Sequence, residues 1–267
     1  MGLTWKEEHL DFVLVPSGLL IMLGYHLLHL RKCLNCPETT AIGFENYNRR
    51  AWVARILQVE AKERGQAISV ISSNLSAATS FASISLTLSS LIGAWIGSSY
   101  QSDYIASTIY GNTTPTIVYV KYISLLACFL IAFACFVQTA RCFVHANFLI
   151  SMPNCEMPVE NVESAVIRGS NFWVVGLRSL YFATNLLLWI FGPVPMFVSS
   201  VVTVVLLQYV DKNATPLPQY NKNNNNNNNK PPVKYEKSDK EMSEIVAKTS
   251  PNGTEPKSSP NGNSNFR

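Results

Sequence analysis

The sequence predicts an all-α integral membrane bundle of about four transmembrane helices, followed by a polar carboxyl-terminal tail. Of its 267 residues, 48% are hydrophobic and only 14% are charged, roughly half the charged share of a soluble domain. Four apolar runs, at 10–30, 68–97, 117–140 and 180–210, are each long enough to cross a hydrocarbon core, which needs about 20 helical residues. Because lipid offers no hydrogen bonds to peptide groups, and no pattern of alternating strands suggests a barrel, we expect these runs to be helices.

Charges are scarce inside the four runs. The first contains only Asp11, at its edge, and the third contains only Lys121, near its start, while the second and fourth contain none. We expect Asp11 and Lys121 to pair or to anchor helices at the membrane surface rather than to relay protons. The first run is too long for a cleaved signal peptide, and its leader is too poor in basic residues, so it should remain in the mature chain.

Basic residues predict the orientation, because they are retained preferentially on the cytoplasmic side. Seven lie between the first and second runs, none between 98 and 116, and three between the third and fourth runs. The amino terminus is therefore expected outside, with Asn112, in the sequence Asn-Thr-Thr, as a candidate external glycosylation site.

Four crossings would also place the tail outside, with Asn252 as a second candidate glycosylation site, even though the tail contains eight Lys and one Arg. Long segments translocate largely regardless of charge, and the external tail is preferred on that ground. The alternative depends on Gly192-Pro193-Val194-Pro195, in the middle of the fourth run. The preferred interpretation is a kink in one overlong helix. The alternative is a reversal, in which each half is too short to span and forms a re-entrant hairpin that leaves the tail in the cytoplasm.

The second run has a regular polar stripe, whose members follow spacings of four and three residues. They are Ser69, Ser73, Ser76, Ser80, Ser83, Thr87 and Ser90. Small hydroxylated residues at this period allow close packing against another helix, which is the preferred interpretation. The alternative is a hydroxyl-lined polar path.

The end of the first run places His26, His29, Cys33 and Cys36 on one helical face. The positions are spread too far along the axis for one metal ion to reach all of them, so we predict no metal site and no cofactor. Cys33 and Cys36 are candidates for palmitoylation, with unmodified thiols as the preferred state.

Residues 46–67 alternate apolar and charged side chains in a helical pattern. This predicts an amphipathic helix lying on the lipid surface of the cytoplasmic side, with docking of a protein partner as the alternative. The chain thus divides into a transmembrane domain, 1–210, and a tail, 211–267. The tail contains seven consecutive asparagines among Lys, Pro and Ser, and it is expected to be disordered.

No enzyme signature is present: the chain has no phosphate-binding glycine loop, zinc-protease motif or nucleophile elbow. The basic residues do not form a nucleic-acid-binding surface either. The preferred hypothesis is a non-enzymatic membrane scaffold, adaptor or sensor, with lipids, further copies of the chain or another protein as its partners. A small oligomeric transporter or channel is the second hypothesis. A membrane enzyme using His26, His29 and His145 is the third.

Several segments resemble a known family. They are LDFVLVPSGLLIMLGY at 10–25, FVHANFL at 143–149 and WIFGPVPM at 189–196, followed by 206–211. In this order they resemble the plant branch of the multi-pass membrane family catalogued as domain of unknown function 599. The resemblance implies a helical integral membrane protein of a plant plasma membrane or endomembrane, and it implies no catalytic residue.

Overall fold

The computed structural model describes residues 7–98, 115–152 and 158–212. Over these ranges the chain forms helices and short turns and no β-strand, which confirms the predicted all-α class. The helices are α1 (Glu7–Asn35), α2 (Ala41–Leu57), α3 (Gly65–Ser98), α4 (Pro115–Ser151), α5 (Val159–Phe191) and α6 (Pro193–Val210), with 3-10 turns at Pro37–Thr39 and Ala61–Glu63. Asn112, Asn252 and the tail beyond Lys212 lie outside the described residues.

Five helices in the described ranges, α1, α3, α4, α5 and α6, are long and apolar enough to cross a membrane. They indicate an integral membrane protein. The structure does not confirm the predicted count of four, because the run at 180–210 belongs to two helices rather than one. The first of these, α5, begins at Val159, well before the predicted span.

The division between α5 and α6 lies at Gly192, which has φ 142° and ψ 168°. Residues with a Cβ are essentially excluded from this backbone region. Pro193 and Pro195 then begin α6, where a missing backbone N–H has no helical partner to lose. The hydroxyl of Ser199 on α6 donates to the side-chain oxygen of Asn185 on α5, so the two helices pack against each other as a hairpin. The preferred prediction of a kink is therefore wrong, and the chain reverses direction.

Three helices are longer than a membrane requires. α3, α4 and α5 contain 34, 37 and 33 residues, or roughly 50–55 Å at about 1.5 Å per residue, against a hydrocarbon core of about 30 Å. Their excess length meets at one end, where α2 joins them around an apolar core. This core includes Val53, Ile71, Phe143, Ile150, Val162 and Val166. We refer to α2, the start of α3, the end of α4 and the first half of α5 as the helical platform.

Helix α2 differs from the predicted amphipathic segment at 46–67. It ends at Leu57, and α3 begins only at Gly65. Its apolar residues Trp52, Val53, Ile56 and Leu57 pack into the platform core, so this face is used inside the chain rather than left free for lipid. The break follows from Arg64, whose guanidinium donates to the carbonyls of Val59 at 2.9 Å, Leu57 at 3.1 Å and Ile150 at 3.3 Å. Arg64 thereby joins the end of α2 to the end of α4.

The close approach of α4 and α5 depends on glycine. A Cβ added to Gly176 would lie 2.9 Å from the ring of Phe136, and one added to Gly169 would lie 3.0 Å from the ring of Phe143. Phe136 also belongs to an aromatic group with Phe81 of α3, 5.3 Å away between ring centres. The middle of the bundle is therefore tightly packed, and the polar sites lie towards its two ends.

Candidate functional site

A buried group of polar side chains surrounds Asp211, the residue that directly follows α6. Its Oδ2 accepts hydrogen bonds from the hydroxyl of Tyr25 at 2.8 Å and from Nη2 of Arg178 at 2.9 Å. Nδ1 of His29 lies 3.6 Å from the same oxygen. The side chains of His29, Asp211 and Arg178 are only 8%, 11% and 15% exposed. We call these four residues the Asp211 cluster.

Three helices bring the cluster together. Tyr25 and His29 are separated by one turn of α1, so both side chains lie on one face, and their rings stack 6.0 Å apart. Arg178 comes from the middle of α5. A buried charge is stable only when it is paired and hydrogen-bonded, and the Arg178–Asp211 pair meets this need for both residues. The cluster therefore joins the end of α6 to α1 and α5.

The backbone of the same segment joins α6 to the start of α2. The carbonyl of Asp211 accepts from the N–H of Ala41 at 3.1 Å, and Thr40 and Lys212 form an isolated antiparallel bridge. Thr40 also caps α2, because its hydroxyl oxygen accepts from the N–H of Gly43 at 3.2 Å. Four helices thus meet within a few residues of Asp211. Of these four, only α2 is not long and apolar enough to cross a membrane.

A cavity of about 750 Å³ lies beside the cluster, between α1, α2 and α5. This volume is in the range of small-molecule sites, about 300–1,000 Å³. Its apolar lining includes Leu27, Leu30, Leu34, Ile42, Val174 and Val175, and its polar lining includes His26, Asn46, Arg50, Asn171 and Arg178. The cavity is therefore amphipathic, with leucines of α1 on one side and the cluster arginine on the other.

Three buried polar atoms around this cavity have no hydrogen-bond partner: Nη1 of Arg178, Oδ1 of Asn46 and Nε2 of His26. The rest of each side chain is held in place. Nη2 of Arg178 is bonded to Asp211, and Nδ2 of Asn46 donates to Oδ1 of Asn171 at 3.2 Å. Nδ1 of His26 donates to the carbonyl of Met22 at 2.8 Å. Buried polar groups normally have partners, so these three atoms are candidate contacts for water or for a bound molecule.

The predicted His and Cys face is only partly brought into this site. His29 enters the Asp211 cluster, and Sγ of Cys33 lies 3.2 Å from its Nε2. Cys36 is exposed. Over the described ranges, no group of three or more His, Cys, Asp and Glu side chains is placed to hold a metal ion. His145 is exposed on α4 and does not line the cavity with His26 and His29.

All seven hydroxylated residues of the predicted stripe are exposed on the outside of α3. Five of them, Ser76, Ser80, Ser83, Thr87 and Ser90, donate to backbone carbonyls one turn earlier. The face of α3 that packs inside the chain uses other small residues, including Ala78, Ala82 and Ser85. The stripe is therefore not the surface that joins α3 to the rest of this chain.

A second polar group lies at the opposite end of the bundle. Nε1 of Trp189 donates to Oδ1 of Asp11 at 3.2 Å, and Nζ of Lys121 lies 5.3 Å from the centre of the Trp189 ring. Both Asp11 and Lys121 are buried, at 6% and 4% exposure. The two charges of the apolar runs thus converge on one tryptophan, which supports pairing rather than independent anchoring.

Comparison with known proteins gives one match. The family model described as "Protein of unknown function, DUF599" matches residues 13–216, which include the Asp211 cluster, the cavity and Trp189, whereas Asp11 lies two residues before the match. No match is found among curated proteins or among solved structures.

Proposed function

Starting from the DUF599 family, to which this chain belongs, we propose that it is a non-enzymatic membrane adaptor or sensor. In this proposal the helical platform is coupled to the transmembrane bundle through Asp211. The observation that carries the proposal is the convergence of α1, α2, α5 and α6 on this residue. A change in the packing of α1 or α6 would reach α2 through direct contacts.

The proposed orientation has the amino terminus outside and the platform in the cytoplasm, because two basic residues near the end of α1 and five between α1 and α3 favour that side. Five crossings then leave the tail in the cytoplasm as well. The eight Lys and one Arg of the tail agree with this arrangement, which removes the conflict that a four-span count creates. The platform and the tail would thus face the same compartment and the same partners.

The finer assignment to the plant branch, and to a plasma membrane or endomembrane, is also part of the proposal. It is supported by the segments at 10–25, 143–149 and 189–196 that resemble that branch. Cys33 and Cys36, at the end of α1, remain candidates for palmitoylation on the cytoplasmic side, and Cys36 is exposed to solvent or headgroups.

Hydrogen exchange measured by mass spectrometry tests the coupling in the purified full-length protein. In Asp211→Asn we expect the amides of α2 to exchange about tenfold faster, or more, while those of α4 keep their protection. Glu45→Gln is the matched control, because it removes an exposed carboxylate that bonds Arg49 within α2 at 3.0 Å. Unchanged protection of α2 in Asp211→Asn would contradict the proposal, and so would uniform loss of protection throughout the chain.

A second candidate function is an oligomeric transporter or channel. The observation that favours it is the exposure of all seven stripe residues, which leaves this polar face free to pair with α3 of another copy. Replacing all seven residues by alanine distinguishes packing between copies from a polar conduit. Lost assembly would indicate packing between copies, lost flux with intact assembly would indicate a conduit, and no change in either would remove the stripe from both roles.

A further inference from the structure

We propose that the cavity between α1, α2 and α5 binds an acidic phospholipid whose headgroup carries free hydroxyl groups, taken from the cytoplasmic leaflet of the surrounding membrane. The adaptor role does not assign a ligand to this cavity. The inference depends on three features of its lining: the arginines, the unpartnered polar atoms, one of which belongs to Arg178, and the exposure of its apolar wall.

The arginines of the lining offer hydrogen-bond donors to an anion, while Asp211 balances the charge of Arg178. Nη1 of Arg178 is buried and unpartnered, while Nη2 of the same guanidinium is fixed by Asp211. The side chain is therefore already positioned before a ligand arrives, and Nη1 is a buried donor without a partner on a residue that lines the cavity. Arg50 of α2 supplies a second positive charge at the exposed rim, whereas Glu38 is the only acidic side chain that lines the described cavity. A phosphate oxygen matches the free guanidinium donor.

The two other unpartnered atoms require donors from the ligand. Oδ1 of Asn46 is an acceptor. His26 uses Nδ1–H to bond the carbonyl of Met22, so in the neutral ring its Nε2 is an acceptor too. A phosphodiester alone satisfies neither atom, because it brings acceptors and no donors at neutral pH. A headgroup that combines a phosphate with hydroxyls, such as one containing inositol or glycerol, satisfies all three atoms.

The apolar wall favours a lipid over a soluble anion. Leu27, Leu30 and Leu34 line the cavity and are 51%, 53% and 74% exposed, on the face of a membrane-spanning helix. Leu27 precedes His29 along α1, so in the proposed orientation it lies towards the hydrocarbon, where it would contact an acyl chain, whereas Leu30 and Leu34 lie at headgroup level. The Asp211 cluster lies at the end of α6, at headgroup depth in a helix of 18 residues, or about 27 Å. Basic pockets between helices at this depth are suited to acidic headgroups.

Native mass spectrometry of the full chain, released from nanodiscs with equal amounts of phosphatidylinositol and phosphatidylcholine, tests this inference. We expect the wild type to retain phosphatidylinositol at least tenfold over phosphatidylcholine. Val174→Phe should reduce that retention about tenfold by filling the cavity. Val205→Phe is the matched control, because it makes the same change on the lipid-exposed face of α6 and should leave retention unchanged.

Arg50→Gln provides a second variant, since Arg50 is exposed and its replacement should leave folding intact. We expect it to lower retention about threefold to tenfold. Equal retention of the two lipids by the wild type would overturn the proposal, and so would wild-type retention in both Val174→Phe and Arg50→Gln. Displacement of the lipid by 1 mM inorganic phosphate would also overturn it, because the site would then bind a free anion rather than a lipid.

Discussion

The Arg178–Asp211 pair offers the sharpest energetic prediction. Removing one partner of a buried ion pair costs about 3–5 kcal/mol, and the exposures of 15% and 11% place this pair towards the lower figure. We therefore expect Arg178→Met and Asp211→Asn each to lower the free energy of unfolding by about 3 kcal/mol. Because each single change leaves the other group without its partner, the double variant should lose only about 4 kcal/mol, a coupling of about 2 kcal/mol.

The assay is reversible unfolding in mixed micelles, followed by tryptophan fluorescence as the denaturing detergent increases. The same cycle made with Glu45→Gln and Arg49→Gln is the control, because that pair is exposed and its coupling should stay below about 0.5 kcal/mol. Losses at Arg178 and Asp211 that add within about 0.5 kcal/mol would refute the reasoning. The cluster would then be a set of independent side chains, without the coupled pair that the adaptor proposal requires.

Further predictions concern the packing that positions the site, with unfolding free energy as the common measurement. Gly192→Ala should lower the free energy of unfolding by about 1–3 kcal/mol, because the backbone at this residue has a positive φ. Gly93→Ala is the control: nothing lies within 4 Å of the added Cβ, so it should be neutral or slightly stabilising. Equal effects of the two changes would contradict the hairpin geometry. Gly176→Ala should cost about 1–3 kcal/mol by pressing on Phe136, and a cost no greater than that of Gly93→Ala would contradict this. Arg64→Lys should lower the free energy of unfolding by about 1 kcal/mol or more and increase hydrogen exchange at the end of α2. The reason is that a lysine cannot bond three carbonyls with the fixed geometry of a guanidinium. Unchanged exchange would exclude the role of Arg64 in joining α2 to α4.

The fold class could be predicted from the sequence because long uncharged runs have few solutions in lipid. The number of spans could not be predicted in the same way. The part of α5 before the predicted span, 159–179, carries the charged residues Glu160, Glu163, Arg168 and Arg178. A search for long uncharged runs therefore starts this helix too late. The reversal at Gly192 was visible in the sequence as Gly192-Pro193, but composition alone did not distinguish it from a kink.

The candidate site was harder to predict. The sequence indicates the histidine face of α1, and His29 belongs to the Asp211 cluster, but no spacing pattern links Tyr25, Arg178 or Asp211 to that face. Arg178 and Asp211 are 33 residues apart and Tyr25 is 186 residues from Asp211, so only tertiary packing brings them together. One signal was present: each charged residue borders an apolar run, where the need for a buried partner is greatest.

The proposed topology has five membrane crossings, an odd number, which puts the two ends of the chain on opposite sides of the membrane. Antibody access to an epitope tag placed after Arg267 measures this in sealed and permeabilised cells, with the glycosidase shift of Asn112 marking the external side. We predict staining only after permeabilisation, and a mobility shift that is lost in Asn112→Gln and kept in Asn252→Gln. Staining of sealed cells while the Asn112 shift is present, or a shift that depends on Asn252, would contradict five crossings from an external amino terminus.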